Sequence, residues 1–338
     1  MVVDRAAGTV AHHTFAELPR FLHAGDTIVL NTTRVFRARL LGTRDGSGAP
    51  AEVLLLREQA DGSWEAMVQP GSKLKPGRVV ELAQGFTAEM LGSTERGTRI
   101  VRLSVAGTAA APGRGTAGAR DTGGALEAAR AAVHAAIAAH GHVPLPPYIA
   151  RADTATDEER YQTVFAREEG SVAAPTAGLH FTPELLAALA ARGVSRGEVL
   201  LHVGAGTFKP VEADDPADHV MHEEWFRVSE ATAELLNATR ARGGRICAVG
   251  TTALRTLESV LRADGTFRAA TGETGIFIRP PRRPRSADLL LTNFHLPRST
   301  LLMLVAAVAG YGLTMHAYDV AVREGYRFYS YGDAMLIT

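Results

Sequence analysis

The chain has 338 residues, 46% of them hydrophobic, and its 36 Lys+Arg offset 36 Asp+Glu. That length and apolar content fit two domains with buried cores and exclude a disordered chain, while zero net charge argues against a protein that coats nucleic acid indiscriminately and leaves any phosphate binding to a local patch. The single Cys247 excludes a disulfide framework and any CxxC zinc site and fits a reducing compartment. Asp4 and Arg5 stand where a signal peptide would carry its apolar region, and the longest apolar run, 301–309, is far short of the ~20 residues that span a bilayer. The expectation is a soluble, cytoplasmic protein with no membrane partner.

In chain order, Val2-Val3 and residues 9–13 read as short strands, 15–22 as a short helix and 27–31 as a strand. Short extended segments follow at 34–41, 51–56, 64–68, 78–82 and 98–105, with Gly- or Pro-containing turns between them. Closely spaced short strands of this kind predict a small barrel or sandwich rather than βαβ units. Residues 106–124 are low in complexity and predict a flexible insertion. They contain Gly113-x-Gly115-x-x-Gly118, but a dinucleotide fingerprint has meaning only between a strand and a helix, so this match is rejected.

Residues 125–139 are Ala-rich and predict a helix that Gly141 ends. Beyond the extended Pro-rich stretch at 143–148, strands and helices alternate. Thr182-Pro183 starts a helix that Gly193 stops, 198–203 is a strand, and 230–242 is a helix. Gly250-Thr251-Thr252 turns the strand 245–249 into the helix 253–261, and Ser299 or Thr300 caps the helix 301–309 after a strand at 287–293. This half is α/β with buried strands.

Five of the twelve histidines, His180, His202, His219, His222 and His295, fall beside strand ends or in Gly/Pro-rich loops of this half. A single histidine of that kind is usually structural; five together point to a polar cleft. His219-x-x-His222-Glu223-Glu224 could be a ligand set, but it lacks helical context and HExxH spacing, so metal is the minority reading beside a hydrogen-bonded loop or an acid–base role. The small residues after strands at 203–208 and 249–252 allow backbone to approach a ligand. Four arginines at 279, 282, 283 and 285, spaced by prolines, form a surface loop that is either solvated or a phosphate contact. Tyr326, Phe328, Tyr329 and Tyr331 read as strand core rather than a stacking platform.

Longer stretches carry a resemblance. Tyr161-Gln-Thr-Val-Phe165, Ala173-Ala-Pro-Thr-Ala-Gly-Leu-His-Phe181, Leu201-His-Val-Gly-Ala-Gly-Thr-Phe-Lys-Pro-Val211, His222-Glu-Glu-Trp-Phe226, Gly250-Thr-Thr-Ala-Leu-Arg-Thr-Leu-Glu-Ser259 and Leu291-Thr-Asn-Phe-His-Leu-Pro-Arg-Ser-Thr-Leu-Leu-Met303 stand in that order, and Tyr329-Ser-Tyr-Gly-Asp-Ala-Met-Leu-Ile337 closes the chain. Together they resemble the S-adenosylmethionine:tRNA ribosyltransferase-isomerase family of queuosine biosynthesis. The resemblance implies an α/β fold, a larger α/β domain with a mixed sheet (1–35 and 143–338) and a smaller inserted β-barrel domain (36–105), joined by an insertion and helix at 106–142. It implies transfer and isomerisation of the ribosyl group of S-adenosylmethionine onto 7-aminomethyl-7-deazaguanine at the tRNA wobble position. Epoxyqueuosine-tRNA forms, and adenine and methionine leave. S-adenosylmethionine is then a consumed substrate and no cofactor is implied; the partner is tRNA with a GUN anticodon, and the protein is expected to be a monomer.

On the matching positions, the expected acid–base residues are His180, His202, His219, His222, Glu223 and His295. Expected substrate contacts are Arg34, Thr176, Gly204, Gly206, Thr207, Lys209, Thr251, Thr252, Arg255, Glu258, Asn293 and Asp333. Trp225, Phe226 and Phe208 are either a platform for the sulfonium or core aromatics. The chain departs from the family pattern at Thr32, where the family has Asp in Asn31-Thr32-Thr33-Arg34-Val35, and at Gly275 after Thr274, where it again has Asp. Pro280-Pro281-Arg282 replaces Pro-Gly-Tyr, residues 106–124 are expanded, and the family carries a leading segment before Val2-Val3. A non-catalytic or altered tRNA-binding relative is therefore the alternative, and a metal-dependent hydrolase built on His219, His222 and Glu223 a distant third.

Overall fold

A computed structural model describes residues 1–95, 97–108, 122–149, 151–204 and 215–338. The Gly113–Gly118 match lies outside the described residues, as do Gly206, Thr207, Phe208 and Lys209. The chain forms two units, one of Met1–Arg34 with Glu158–Thr338 and one of Val35–Asp157.

The first unit opens with β1 (Val2–Asp4), β2 (Thr9–Ala11), β3 (Thr27–Asn31) and β4 (Thr33–Val35), the last leading out of it. The second unit carries β5 (Arg39–Arg44), β6 (Pro50–Glu58), β7 (Trp64–Gln69), β8 (Val79–Ala83), β9 (Phe86–Ser93), β10 (Arg99–Val105) and α1 (Thr122–His140). The first unit resumes within α2 (Ala155–Arg160) and continues with β11 (Glu168–Ser171), α3 (Pro183–Ala191), β12 (Ser195–Leu201), β13 (Glu224–Val228), α4 (Glu230–Ala241), β14 (Ile246–Val249) and α5 (Thr251–Val260). It ends with β15 (Ala270–Thr274), β16 (Leu289–Asn293), α6 (Thr300–Ala309), α7 (Tyr311–Arg323) and β17 (Ala334–Ile337).

In the second unit six antiparallel strands close into a barrel in the order β10-β7-β6-β5-β8-β9. Alternation drives it: Ala51, Val53 and Leu55 of β6 and Phe86, Ala88 and Met90 of β9 point inward while their neighbours stay wetter. Closure needs a close approach at Gly42, where a Cβ would collide with the Glu81 backbone. Two details differ from the sequence expectation. The segment 34–41 is not one strand but the end of β4 and the start of β5, and β9 is a strand the sequence expectation lacks.

In the first unit nine strands form a mixed sheet, β15-β13-β12-β3-β14-β16-β17-β1-β2. β12, β3, β14 and β16 run parallel; β3, β14 and β16 are buried along their whole length and β12 over its last three residues, and a strand covered on both faces has no polar side to show. Ile28 and Leu30 pack on one face with Leu22, Phe181 and Leu189 of the α3 side, and Val29 packs on the other with Leu254 and Leu257 of α5. β13 and β15 extend one flank and β17, β1 and β2 the other; β13 is antiparallel to β12 and β15, β17 is antiparallel to β16 but parallel to β1, and β2 is antiparallel to β1. Thr182 caps α3 by accepting from Leu185 N–H, and Ser299 caps α6 by accepting from Leu302 N–H, as their side chains predict. The C-terminal aromatics are not in a strand. Tyr326 and Phe328 instead lie in the loop before β17 and pack on Phe294.

Candidate active site

Because β12, β3, β14 and β16 are parallel, their carboxyl ends share one edge of the sheet, where open α/β sheets bind ligands. The antiparallel flanks bring their own residues there: Glu224 opens β13 opposite Thr274, which closes β15, and Ala334 opens β17 opposite Asn293. Thus His202, Gly204, Asn31, Thr251, Asn293 and Asp333 share an edge although they are far apart in the chain.

At the β12 end, Gly204 N–H donates to Glu224 Oε1 over 3.0 Å, and Arg255 of α5 bonds the other oxygen, Oε2. Both members of this ion pair are buried, each with a side chain 6% exposed. Arg255 also lies near the Thr274 and Ile276 carbonyls, so it ties α5 to β13 and β15. Thr251 is buried at the first turn of α5, and Thr252 Oγ1 accepts from Asn31 Nδ2 at 3.3 Å. Asn31 bridges β3 to β12, donating to the Leu201 carbonyl and accepting the Leu201 and Thr33 amides. Thr32 is buried and bonds the Val199 carbonyl through its amide and hydroxyl, so the position that departs from the family pattern is filled by structural bonds.

His202 stacks on Trp225 with ring centroids 5.1 Å apart and 17° between planes, and its Nδ1 stands 2.9 Å from Thr33 Oγ1. Burial holds its pKa below the ordinary histidine value, against the opposing charge of Glu168. Phe226 is core, 5% exposed, and Trp225 is engaged by His202 and by Arg227, 5.9 Å from its centroid. Of the three proposed sulfonium aromatics, these two serve the protein's own packing.

His180 occupies the other end of the edge. Asn293 Nδ2 donates to the Tyr329 carbonyl at 3.2 Å and faces His180 Nε2 at 3.4 Å, while its Oδ1 accepts from Thr176. Tyr329 holds φ at 74°, a strained conformation for a bulky residue and one that turns its carbonyl toward Asn293. His180 stacks on Phe15 and lines a cavity of about 370 Å³ with Met1, Leu291, Tyr326 and Asp333. Burial lowers its pKa, and Asp333 opposes the shift. For Asp333 burial acts to raise the pKa, but its bonds to Arg327 outweigh that and leave it below the usual carboxylate range.

His180 and His202 therefore share an edge without meeting: His202 follows β12, His180 ends a short 3-10 turn beside Asn293 of β16, and β3 and β14 lie between those two strands. His222 and Glu223 precede β13 on the same edge, with Glu223 exposed toward Gly275, whose Cβ would come 3.6 Å from Glu223 Cγ. His219 packs edge-on against Phe277. Among the described residues no three His, Cys, Asp or Glu side chains gather as a metal-ligand set. His295 accepts or donates at Nε2 to Thr292 Oγ1 over 2.8 Å, and burial pushes its pKa down to about 4. Arg34 is exposed beside Glu169 at 3.7 Å.

Glu258 is elsewhere. Two turns along α5, it accepts the amides of Arg285 and Ser286, both at 3.0 Å, and lies 3.7 Å from Arg282. It braces the arginine loop at the opposite edge and does not reach the site. Sequence reasoning missed Ser171, Thr33 and Asn31, and it held Glu224 only as part of the minority ligand set at 219–224. Glu224 carried a signal, since it stands next to Glu223 and strand alternation buries only one of the two.

The model of the queuosine biosynthesis protein family matches residues 1–337. The S-adenosylmethionine:tRNA ribosyltransferase-isomerase of Moorella thermoacetica is 48% identical over 338 residues, covering 100% of this chain and 92% of that protein. The enzyme of that name from Rhodospirillum rubrum is 50% identical over 322 residues, 95% of this chain and 86% of its own. The crystal structure of the S-adenosylmethionine tRNA ribosyltransferase of Thermotoga maritima, 35% identical, matches with a TM-score of 0.52 over 100% of this chain and 91% of that one. The chain belongs to the S-adenosylmethionine:tRNA ribosyltransferase-isomerase family.

Proposed function

We propose that this chain transfers the ribosyl group of S-adenosylmethionine to 7-aminomethyl-7-deazaguanine in tRNA and isomerises it to the epoxycyclopentane of epoxyqueuosine. The observation that carries this is similarity along the whole chain to enzymes of that name at 48–50% identity. The edge site fits the reaction's needs. Removing the weakly acidic C5′ proton beside the sulfonium calls for a fixed, partly dry base, and the departing adenine calls for a donor. His180 and His202 are both held by polar side chains and kept neutral by burial at pH 7. Their separation suits two points of one extended nucleoside–nucleotide assembly rather than a shared proton. A GUN anticodon, a monomeric state and a cytoplasmic setting belong to the same proposal and rest on the resemblance and the composition.

Incubation with S-adenosylmethionine and tRNA carrying the aminomethyl base should yield adenine, methionine and epoxyqueuosine in equal amounts by mass spectrometry. S-adenosylhomocysteine as the main product would make the protein a methyltransferase and overturn the reading.

A further inference from the structure

A line of hydrogen bonds behind β12 decides which nitrogen of His202 carries the proton. Val203 N–H donates to Ser171 Oγ over 2.7 Å, Ser171 Oγ stands 2.8 Å from Thr33 Oγ1, and Thr33 Oγ1 stands 2.9 Å from His202 Nδ1. Ser171 and Thr33 are both fully buried. Among the described residues the one acceptor for the Ser171 hydroxyl hydrogen is Thr33 Oγ1. Each hydroxyl has a single hydrogen, and leaving it unpaired in a dry site is costly. Ser171 therefore donates to Thr33, and Thr33 must pass its own hydrogen on to Nδ1. An Nδ1 that accepts leaves the ring proton on Nε2.

The ring lies against Gly170, which holds φ at 151° and where any Cβ would come within 2.7 Å of Nδ1, Cε1 and Nε2 of the imidazole, so only glycine admits it there. Trp225 stacks against the ring as well. Protonating Nδ1 would turn the hydroxyl hydrogens back along the line and leave one without an acceptor. The charges that face the ring are Glu168 of β11, which favours the imidazolium, and Arg227 of β13, which opposes it.

We propose that the Ser171–Thr33 relay fixes His202 as a neutral Nε2–H tautomer, so that it serves the site as a hydrogen-bond donor and not as the base. Its chemical target is an acceptor on the nucleoside that gains electron density, of the kind a departing purine nitrogen presents. As the ribosyl–purine bond breaks, its electron pair goes to the purine; His202 lends a hydrogen bond and keeps its proton. That target rests on the ribosyl-transfer reading, whereas the tautomer does not. Ser171 and Thr33 are positioning residues in this scheme.

The test is ¹⁵N NMR of the histidine-labelled full-length protein between pH 6 and 8, with the His202 signals assigned by their loss in H202Q. The expected spectrum has a protonated Nε2 and a bare Nδ1, kept in Thr33→Ser and no longer dominant in Thr33→Val. A proton on Nδ1 in the unaltered protein overturns the proposal without any variant having to fold. In the activity arm, H202Q, which restores an N–H near the Nε2 position, should turn over at least tenfold faster per folded molecule than H202A. Equal rates would overturn the donor role. An Nε2–H spectrum from a protein that forms no epoxyqueuosine-tRNA supports the relay and removes the reaction reading instead.

Discussion

His295 shows how placement alone can change a residue's role. Its sequence context, between Phe294 and a proline-containing loop, resembles that of a catalytic histidine. Burial instead pushes its pKa down to about 4, so it is neutral wherever the protein is folded near pH 7. In the unfolded chain it titrates near 6.5, so the native state binds fewer protons between pH 6.5 and 4. Stability should therefore fall as pH drops through that window, by up to about 3 kcal/mol from this residue, and level off below it. Urea denaturation at a series of pH values should show this limb, and H295Q should flatten it. Glu224 gives the second test at this scale. E224Q leaves the buried Arg255 charge without its partner, and unfolding free energy should fall by roughly 3–5 kcal/mol. An E224Q/R255M pair that recovers much of the loss would show that the uncompensated charge is the cause.

At the level of elements, legibility followed burial. The central strands β3, β14 and β16 are short buried runs bounded by turns, and the sequence places their ends within two residues, whereas β12 opens on Ser195-Arg196-Gly197 and only its apolar half, from Glu198, is legible. β15, Ala-Thr-Gly-Glu-Thr, sits at the sheet's flank with one half-wet face and carries no apolar run to notice. β9 hides its alternation under Ala, Glu, Met and Leu, which favour helices. α7 follows α6 after a single glycine and bends away by 115°, so a reading that stopped at Gly310 lost it. The candidate site's loops could be picked out in the sequence, because glycines and histidines after strands mark an edge where α/β sheets bind ligands. Its wiring could not, since Ser171, Thr33 and Asn31 find partners that only the fold brings near. Glu258 illustrates the opposite error: α5 starts at the site, and a helix carries its later residues away at 1.5 Å each. E258Q should lower the melting temperature by weakening the bonds to Arg285 and Ser286, worth about 1–3 kcal/mol, with turnover per folded molecule unchanged. A fall in turnover at constant stability would return Glu258 to the site.

For the whole molecule, zero net charge leaves tRNA affinity to local contacts. The densest arginine run is partly committed to structure: Arg279 lies 5.4 Å from the Phe277 ring centroid and Arg282 is 3.7 Å from Glu258. Replacing Arg282 and Arg283 together by Ala should then flatten the log K against log salt plot for tRNA by about 0.7–0.9, one phosphate contact, and not by twice that. Filter binding across a salt series measures it, and a slope change near 1.8 would show that both arginines reach the backbone.

The place of β3 in the sheet also sets a timetable. Its Asn31 bonds Leu201, 170 residues further along the chain, and its other neighbour is β14, at Ile246–Val249. On a ribosome the most buried strand of the molecule is thus made early and must wait, an apolar ribbon with neither edge paired, while the whole barrel is synthesised. Among the described strands the six barrel strands pair with one another and can close first. Nascent chains halted after residue 160 should consequently resist protease across 39–105 and be cut readily within 1–34, and that early segment is where a cell's holdase chaperones would find this protein.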